Sequence, residues 1–135
     1  MTATIPEEAR DLLDRPIVVA LVTLMEDTQP QATPVWIDYD GTHVLVNTAR
    51  GRAKDRNMEA RPQVSILSID PENPYRYLEV RGTVDEITED GATEHISKLS
   101  KKYRGQDDYY ANNPEQKNKE TRVIYKIKPE HVVYH

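Results

Sequence analysis

The residues best suited to chemistry lie in one short basic segment, from Thr48 to Met58. Positions 50–56 hold four basic residues and one acid, although the net charge of the 135-residue chain is −5. The hydrophobic period changes here from that of a strand to that of a helix. The first turn of a helix carries unpaired N–H groups and the positive end of the dipole, which attract anions. Hydroxyl, arginine and lysine side chains beside such a turn are typical of a phosphate site.

The charge pattern alone is equally consistent with a solvated helix face, so two interpretations stay open at this point. Gly51 favours the phosphate site, because glycine permits a positive φ or a close backbone approach to a ligand. The segment is neither a P-loop nor a dinucleotide-binding loop, since the spacings GxxxxGKS, GxxxxGKT and GxGxxG are all absent.

Other chemistries find little support in the residues. The absence of cysteine excludes disulfides, thiolate metal ligands and a cysteine nucleophile. The four histidines lack metal-ligand spacing, so we predict no metal site. Ser65 and Ser68 lack the context of a nucleophile elbow, and no catalytic side chain is assigned. The negative net charge argues against nucleic-acid binding.

The hydrophobic patterns predict one domain over residues 1–135, mainly β with flanking helices. Thr4 is expected to cap the first helix. The strand at 17–24 is apolar throughout and is expected to be covered on both faces. The predicted strands are 17–24, 31–39, 43–47, 63–69, 75–88 and 122–128, with a short terminal strand after Pro129, and the predicted helices are about 6–14, 52–60 and 90–103.

The order of these elements predicts a six- to seven-stranded antiparallel barrel with helices on its rim. The first three strands are expected to form a meander. Pro34 interrupts the second strand, which implies an edge, a bulge or an opening of the ladder, and Gly82 marks a bend. In the strand at 63–69, the residues expected inside are Val64, Ile66, Leu67 and Ile69.

Six short motifs follow one another in a recognisable order and spacing. They are Gln31–Trp36, Asp40–Gly41, Val46–Thr48, Arg52–Met58, Arg61–Ser65 and Tyr77–Gly82. Together they resemble the FMN- and coenzyme F420-binding split β-barrel superfamily, which is related to pyridoxamine 5'-phosphate oxidase. Within it, the chain most resembles the F420-dependent oxidoreductase branch. The resemblance extends from about residue 10 to about residue 88 and is looser beyond.

This resemblance implies a homodimeric split β-barrel with a cofactor groove between the two subunits. It implies that Pro34, Val35 and Trp36 lie along the cofactor ring system. It also implies that Asn57 supports the basic loop or touches the ribityl-like chain, and that Tyr75, Arg76 and Tyr77 approach the cofactor from the second subunit. The residues implied to hold the phosphate end are Thr48, Arg50, Gly51, Arg52, Ala53 and Lys54.

The function implied by the resemblance is hydride transfer from coenzyme F420, a deazaflavin, to an unsaturated small molecule. Two alternatives stay open: an FMN-dependent oxidoreductase of the same fold, and a cofactor-binding protein without turnover. Trp36 either flanks the ring pocket or belongs to the core or dimer interface. The tyrosines with the same two alternatives, pocket opening or helix packing, are Tyr103, Tyr109 and Tyr110.

The expected location is the cytoplasm. Residues 1–16 lack the apolar core of a signal peptide, and no apolar run approaches the ~20 residues of a membrane helix. The absence of cysteine fits a reducing compartment.

Overall fold

A computed structural model describes residues 2–135. Seven antiparallel strands form one sheet that curls into a half-barrel, accompanied by three α-helices, so the predicted mainly β class is confirmed. The strands are β1 (Val19–Leu24), β2 (Pro30–Val35), β3 (Ile37–Tyr39), β4 (Val44–Ala49), β5 (Gln63–Ile69), β6 (Tyr77–Thr88) and β7 (Arg122–Tyr134). The helices are α1 (Asp11–Asp14), α2 (Ala53–Ala60) and α3 (Ala92–Arg104), with 3-10 turns at Glu7–Ala9 and Pro114–Asn118.

The order of strands across the sheet is β2-β1-β5-β6-β7-β4-β3, which corrects the predicted meander. The segment predicted as one strand at 31–39 is two strands separated by Trp36. β2 pairs with β1, whereas β3 pairs with β4, so these consecutive strands lie at opposite edges of the sheet. Pro34 lies in the edge strand β2, one of the three places that the sequence allowed, and an edge strand tolerates the missing N–H of proline.

Period-two alternation determines which side chains reach the core. In β1, Val19, Leu21 and Thr23 are buried, whereas the other face is only partly covered by the chain itself, so full cover of both faces stays a prediction. In β5, Val64 and Ile66 point inward as predicted. Leu67 and Ile69 point outward, contrary to the prediction, because they have the opposite parity; Ile69 is 44% exposed.

The helices differ in how well the sequence predicts them. α2 and α3 lie within two residues of their predicted bounds, and α3 buries Ala92, Ile96 and Leu99 as expected. The predicted first helix is instead a 3-10 turn followed by the single-turn helix α1. Pro6 stands at its N-cap without a side-chain hydrogen bond, so the Thr4 cap is wrong. No helix within residues 2–135 is long and apolar enough to cross a membrane.

The two long strands β6 and β7 meet closely at Gly82. β7 is continuous through Pro129 and therefore merges the two predicted terminal strands. The register shifts between Arg81 and Gly82, because Arg81 faces His131 whereas Gly82 faces Pro129. A Cβ atom on Gly82 would lie only 2.2 Å from the carbonyl oxygen of Lys128. The predicted irregularity at Gly82 is thus a site of close backbone approach.

Gly82→Ala is expected to lower the free energy of unfolding by roughly 1–3 kcal/mol, because the added methyl group overlaps backbone that cannot move independently. Urea denaturation of the purified variant measures this change. Arg81→Ala, at the exposed neighbouring position, serves as the control and should change stability little. Equal stability of Gly82→Ala and the wild type would contradict the close approach.

Candidate functional site

A cavity of about 320 Å³ lies where the ends of several elements converge. Its wall comes from the junction of β2 and β3, the end of β4, the start of α2, one face of α3 and the start of β7. Six predicted cofactor-binding residues line it, namely Pro34, Val35, Trp36, Thr48, Arg52 and Lys54. Tyr109, for which the pocket opening was one of two alternatives, also lines it, and the four lining residues that were not predicted are Val18, Asn47, Ile96 and Arg122.

Asp55 shapes the loop that leads from β4 into α2. Its buried carboxylate accepts a hydrogen bond from the Gly51 N–H at 2.9 Å and another from the Tyr125 hydroxyl. Burial, followed by the hydrogen bond to Asp55, raises the pKa of Tyr125, so this hydroxyl keeps its proton and donates. Gly51 has φ +92°, a left-handed conformation that favours glycine. The tight turn brings Arg52 and Lys54 to the cavity.

Arg50 lies outside the cavity wall, against carboxylates of its own subunit. Its guanidinium contacts Asp55 at 3.0 Å, Glu59 at 2.8 Å and Glu89 at 2.9 Å. These three ion pairs tie the loop to α2 and to the segment before α3. The contact of Arg50 with a cofactor phosphate stays a prediction.

Thr48 places a buried hydroxyl in the cavity wall. The side chain is 1% exposed, and its Oγ1 atom has no hydrogen-bond partner among residues 2–135. A buried hydroxyl without a partner costs free energy, so a polar partner is expected to complete the site. Ser100 has a similarly unpartnered hydroxyl but does not line the cavity.

Positive charge exceeds negative charge at the same wall. Lys54 forms no ion pair within 4 Å among the described residues, and the nearby guanidinium groups share the single carboxylate of Glu120, which lies 3.2 Å from Arg122 and 3.7 Å from Arg52. Burial lowers the pKa of Lys54, and the charges of Arg52 and Arg122 lower it further. This arrangement favours binding of an anion, which would relieve the repulsion between like charges.

Aromatic and apolar groups form another part of the cavity wall, next to the basic residues, with the Arg122 guanidinium 5.3 Å from the centre of the Tyr109 ring. The Trp36 ring stacks on Tyr103 with centroids 5.3 Å apart and meets Tyr109 edge to face at 6.2 Å. Trp36 therefore fits both interpretations, because it lines the cavity and also packs into a satellite core cluster. Among the tyrosines, Tyr109 reaches the cavity, Tyr103 supports Trp36, and Tyr110 is buried with its hydroxyl on Glu120.

The remaining predicted residues do not line this cavity within one subunit. The Asn57 amide donates to Thr23 Oγ1 at 3.1 Å and to Gln31 Oε1 at 3.2 Å, which anchors α2 to β1 and β2. Arg76 pairs with Asp11 at 2.6 Å and with Asp70 at 3.1 Å. Their contacts with a cofactor stay predictions, as do those of Gly51 and Ala53 in the exposed turn and of Tyr77, which stacks on His135.

The sequence patterns did not predict that Asn47 and Arg122 line the cavity. Asn47 lies in the motif Val46–Thr48, where only Thr48 was assigned a role, and Arg122 is the first residue of a predicted strand whose pairing partner was not predicted. In the structure, β4 and β7 pair with Ala49 opposite Arg122. The Arg122 side chain is 3% exposed, and its Nε–H donates to Asn47 Oδ1 at 2.9 Å. Strand register, which is a long-range property, creates this pair.

Comparison with known proteins agrees with this geometry. The profile of the pyridoxamine 5'-phosphate oxidase family matches residues 5–135. The chain belongs to this family. No curated protein matches the chain. Among solved structures, an F420 reductase is 36% identical, with a TM-score of 0.83, and the alignment covers 96% of this chain and 98% of the reductase.

More distant structures share the fold of this pyridoxamine 5'-phosphate oxidase family member. A conserved hypothetical protein from Mycobacterium tuberculosis is 22% identical over 98% of this chain and 85% of its own, with a TM-score of 0.76. The heme storage protein HutZ from Vibrio cholerae is 14% identical over 98% and 95% of the two chains, with a TM-score of 0.65. The fold is therefore the split β-barrel of FMN- and F420-binding oxidoreductases.

The residues of the cavity fit a cofactor that joins a planar ring to a phosphate. The unpartnered Thr48 hydroxyl and the uncompensated charge of Lys54 suit a phosphate. Pro34, Val35 and Trp36 offer an apolar surface for a ring. Both requirements are met within one cavity.

Thr48→Val is expected to leave the free energy of unfolding unchanged or to raise it by up to about 1 kcal/mol, because the Thr48 hydroxyl has no partner to lose. Thr23→Val is the matched control. Thr23 is also 1% exposed, but its hydroxyl accepts from Asn57, so this variant should lose about 1–2 kcal/mol. Equal losses in the two variants, measured by urea denaturation, would show that Thr48 has a structural partner.

Proposed function

We propose that this protein is an oxidoreductase that binds coenzyme F420 in the cavity and transfers a hydride to an unsaturated small molecule. Its membership of the pyridoxamine 5'-phosphate oxidase family supports a flavin-type cofactor. The 36% identity to an F420 reductase over nearly the whole of both chains favours the deazaflavin. The cavity residues suit a flavin-type cofactor from their own chemistry, but they do not distinguish the deazaflavin from FMN.

The observation that carries the proposal is the pairing of an incomplete polar site with an apolar wall. Thr48 supplies a buried hydroxyl without a partner, and Lys54 supplies a cation without a carboxylate. A phosphate would accept from the hydroxyl and neutralise the cation. A solvated helix face, the alternative explanation of the basic segment, would not need a buried hydroxyl beside a half-buried lysine.

Coenzyme F420 supplies the hydride when it is bound. In our proposal the chain itself binds, orients and excludes water. Thr48, Arg52 and Lys54 hold the phosphate end. Pro34, Val35 and Trp36 cover one face of the ring and keep water from it. Besides the hydride, reduction of the unsaturated molecule consumes one proton, which a tyrosine or water would supply; no particular side chain is assigned as the donor.

FMN-dependent oxidoreduction on the same site is the second candidate. The family profile favours it, because pyridoxamine 5'-phosphate oxidase gives the family its name. FMN also joins a planar ring to a phosphate, so the cavity suits it on the same grounds. A cofactor-binding protein without turnover is the third candidate, and it would use the same contacts without a substrate.

We also propose that the protein is a homodimer and acts in the cytoplasm. An apolar groove of about 360 Å³ adjoins the cavity and shares Val18 and Pro34 with it. Val18 is 55% exposed and Ile69, at the far side of this groove, is 44% exposed. A second copy of the chain would cover these side chains and could bring Arg76 and Tyr77 to the cofactor of its partner.

Coenzyme F420 is expected to bind more tightly than FMN, with Lys54→Ala weakening its binding roughly 10- to 100-fold through loss of a charged hydrogen bond. Quenching of the single tryptophan, Trp36, measures both affinities. Thr48→Val should weaken F420 binding several-fold without loss of stability. Preference for FMN would support the second candidate, and saturable binding of neither cofactor would overturn the proposed function.

The pH dependence of the same titration tests the role of Lys54. Only the ammonium form attracts the phosphate, and burial together with Arg52 and Arg122 lowers the pKa of Lys54 from its ordinary value of 10.5. Affinity should therefore fall as the pH rises through this lowered pKa, below the range where an ordinary lysine titrates. Lys54→Arg should remove this decline, because a guanidinium stays charged. A decline that persists in Lys54→Arg would assign it to another group.

The proposed dimer predicts that Ile69→Glu yields monomers, because a carboxylate would be buried in the groove without a partner. Light scattering coupled to size-exclusion chromatography measures the mass. Ile87→Glu, at an exposed isoleucine outside the groove, is the control and should stay dimeric. A monomeric wild type, or a dimeric Ile69→Glu variant, would contradict this interface.

A further inference from the structure

The orientation of Arg122 at the cavity depends on a chain of hydrogen bonds that leads away from the cavity. The Arg122 Nε–H donates to Asn47 Oδ1 at 2.9 Å. The Asn47 Nδ2 atom lies 2.8 Å from the carbonyl oxygen of Ala92 and 3.1 Å from Nδ1 of His95. The Nε2 atom of His95 lies 3.1 Å from Oδ2 of Asp38. Neither His95 nor Asp38 lines the cavity.

The donors and acceptors along this chain permit only one arrangement of protons. An arginine side chain donates and cannot accept, so the Asn47 atom facing Arg122 must be the amide oxygen. The amide NH₂ of Asn47 then faces both the Ala92 carbonyl and His95, and it donates to each. His95 Nδ1 must therefore accept, which leaves the ring proton on Nε2, where it is donated to Asp38.

Asp38 is held in place to accept that proton. Its Oδ2 atom also accepts from Lys98 at 3.0 Å, and its Oδ1 atom accepts from the backbone N–H of Tyr39 at 2.9 Å. The hydrogen bond from His95 lowers the pKa of Asp38 well below its usual range, and the Lys98 ammonium adds to this effect. Asp38 therefore stays a carboxylate, and the side chains of Asp38 and His95 are 13% and 10% exposed.

We propose that His95, as the neutral Nε2–H tautomer, is a positioning residue that fixes Asn47 and, through it, the Arg122 guanidinium at the cavity wall. A carboxylate–histidine–amide relay of this kind resembles the outer contacts that orient ligating side chains in other sites. The assignment of an anionic cofactor as the group that Arg122 meets rests on the proposed function, whereas the positioning of Arg122 itself does not.

Without His95, one of the two acceptors of the Asn47 amide is lost. Asn47 could then rotate, and Arg122 would keep Glu120 as its hydrogen-bonded side-chain partner, at 3.2 Å, and the Tyr109 ring below its guanidinium. Glu120 lies at the other end of the guanidinium and also approaches Arg52. We expect Arg122 to turn towards this carboxylate and to become less available to an anion in the cavity.

Nitrogen NMR of the wild-type imidazole rings tests the tautomer without any ligand. Near pH 7, His95 should show a protonated Nε2 and an unprotonated Nδ1. A proton on Nδ1, in either the other neutral tautomer or the imidazolium, would overturn the proposal. This measurement needs no variant and holds whether or not any substituted protein folds.

Two substitutions test the effect on Arg122. His95→Phe keeps a ring but removes the acceptor, and the Arg122 Nε–H should exchange with water several-fold faster. His95→Asn can place an amide oxygen near the lost Nδ1 position and should restore most of the protection. His43→Phe is the matched control, because His43 also contacts a carboxylate, Asp85 at 3.0 Å, but has no link to Arg122. Unchanged exchange in His95→Phe would overturn the positioning role.

Cofactor titration completes the test and separates this proposal from the proposed function. If the wild type binds F420, His95→Phe should weaken binding roughly 3- to 10-fold, the effect of one lost hydrogen bond, and His95→Asn should recover most of it. Undiminished F420 binding by His95→Phe would contradict the role at the cofactor. If the wild type binds neither F420 nor FMN, the proposed function fails, while the exchange of the Arg122 Nε–H still decides the positioning role.

Discussion

The site depends on how the backbone is hydrogen-bonded where the chain leaves one edge of the sheet and joins the other. Trp36 stands between the two edge strands, and side chains of α3 supply the hydrogen bonds beside it. The Tyr103 hydroxyl accepts from the Ile37 N–H at 3.1 Å and donates to the Ile17 carbonyl at 2.8 Å. Lys102 donates to the Ile37 carbonyl at 2.9 Å. These bonds satisfy buried polar groups and let the sheet open, and the cavity lies beside that opening.

The opening brings two kinds of surface together that a closed sheet would keep apart. The Tyr103 ring also stacks on Trp36. Tyr103 therefore both satisfies the backbone groups of Ile37 and Ile17 and supports the aromatic part of the cavity wall. At the other end of β4, Asp55 accepts a hydrogen bond from the Gly51 N–H and sets the turn that brings Lys54 to the cavity. Aromatic and basic groups thus line one cavity because a few polar side chains, Tyr103 and Lys102 at the first place and Asp55 at the second, fix the backbone.

Hydrophobic periodicity and turn residues predicted those elements that interactions between neighbouring residues determine. The strand at 63–69, the helix at 53–60 and the basic loop between β4 and α2 follow from periodicity and turn chemistry within a few residues. Properties set by distant partners were not predictable. The separation of β2 from β3 and the burial of Arg122 against Asn47 both depend on strand order and register. A single sequence carries no direct signal of either. The outward direction of Leu67 differs from these, because it follows from local alternation with Val64 and Ile66.

For the same reason, the sequence did not show which arginines have carboxylate partners, because several of those partners are distant along the chain. Arg50 contacts three carboxylates and Arg76 two, so their charges are neutralised within the fold. Arg52 and Arg122 share one carboxylate, Glu120, beside the unpaired Lys54. Positive charge therefore exceeds negative charge at this wall, although the net charge of the chain is −5. Within residues 2–135, Arg56 and Arg61 bond backbone carbonyls rather than carboxylates, so an unpaired base alone does not distinguish the cavity. The cavity differs because the fold brings Lys54 and Arg122 together beside the unpartnered hydroxyl of Thr48.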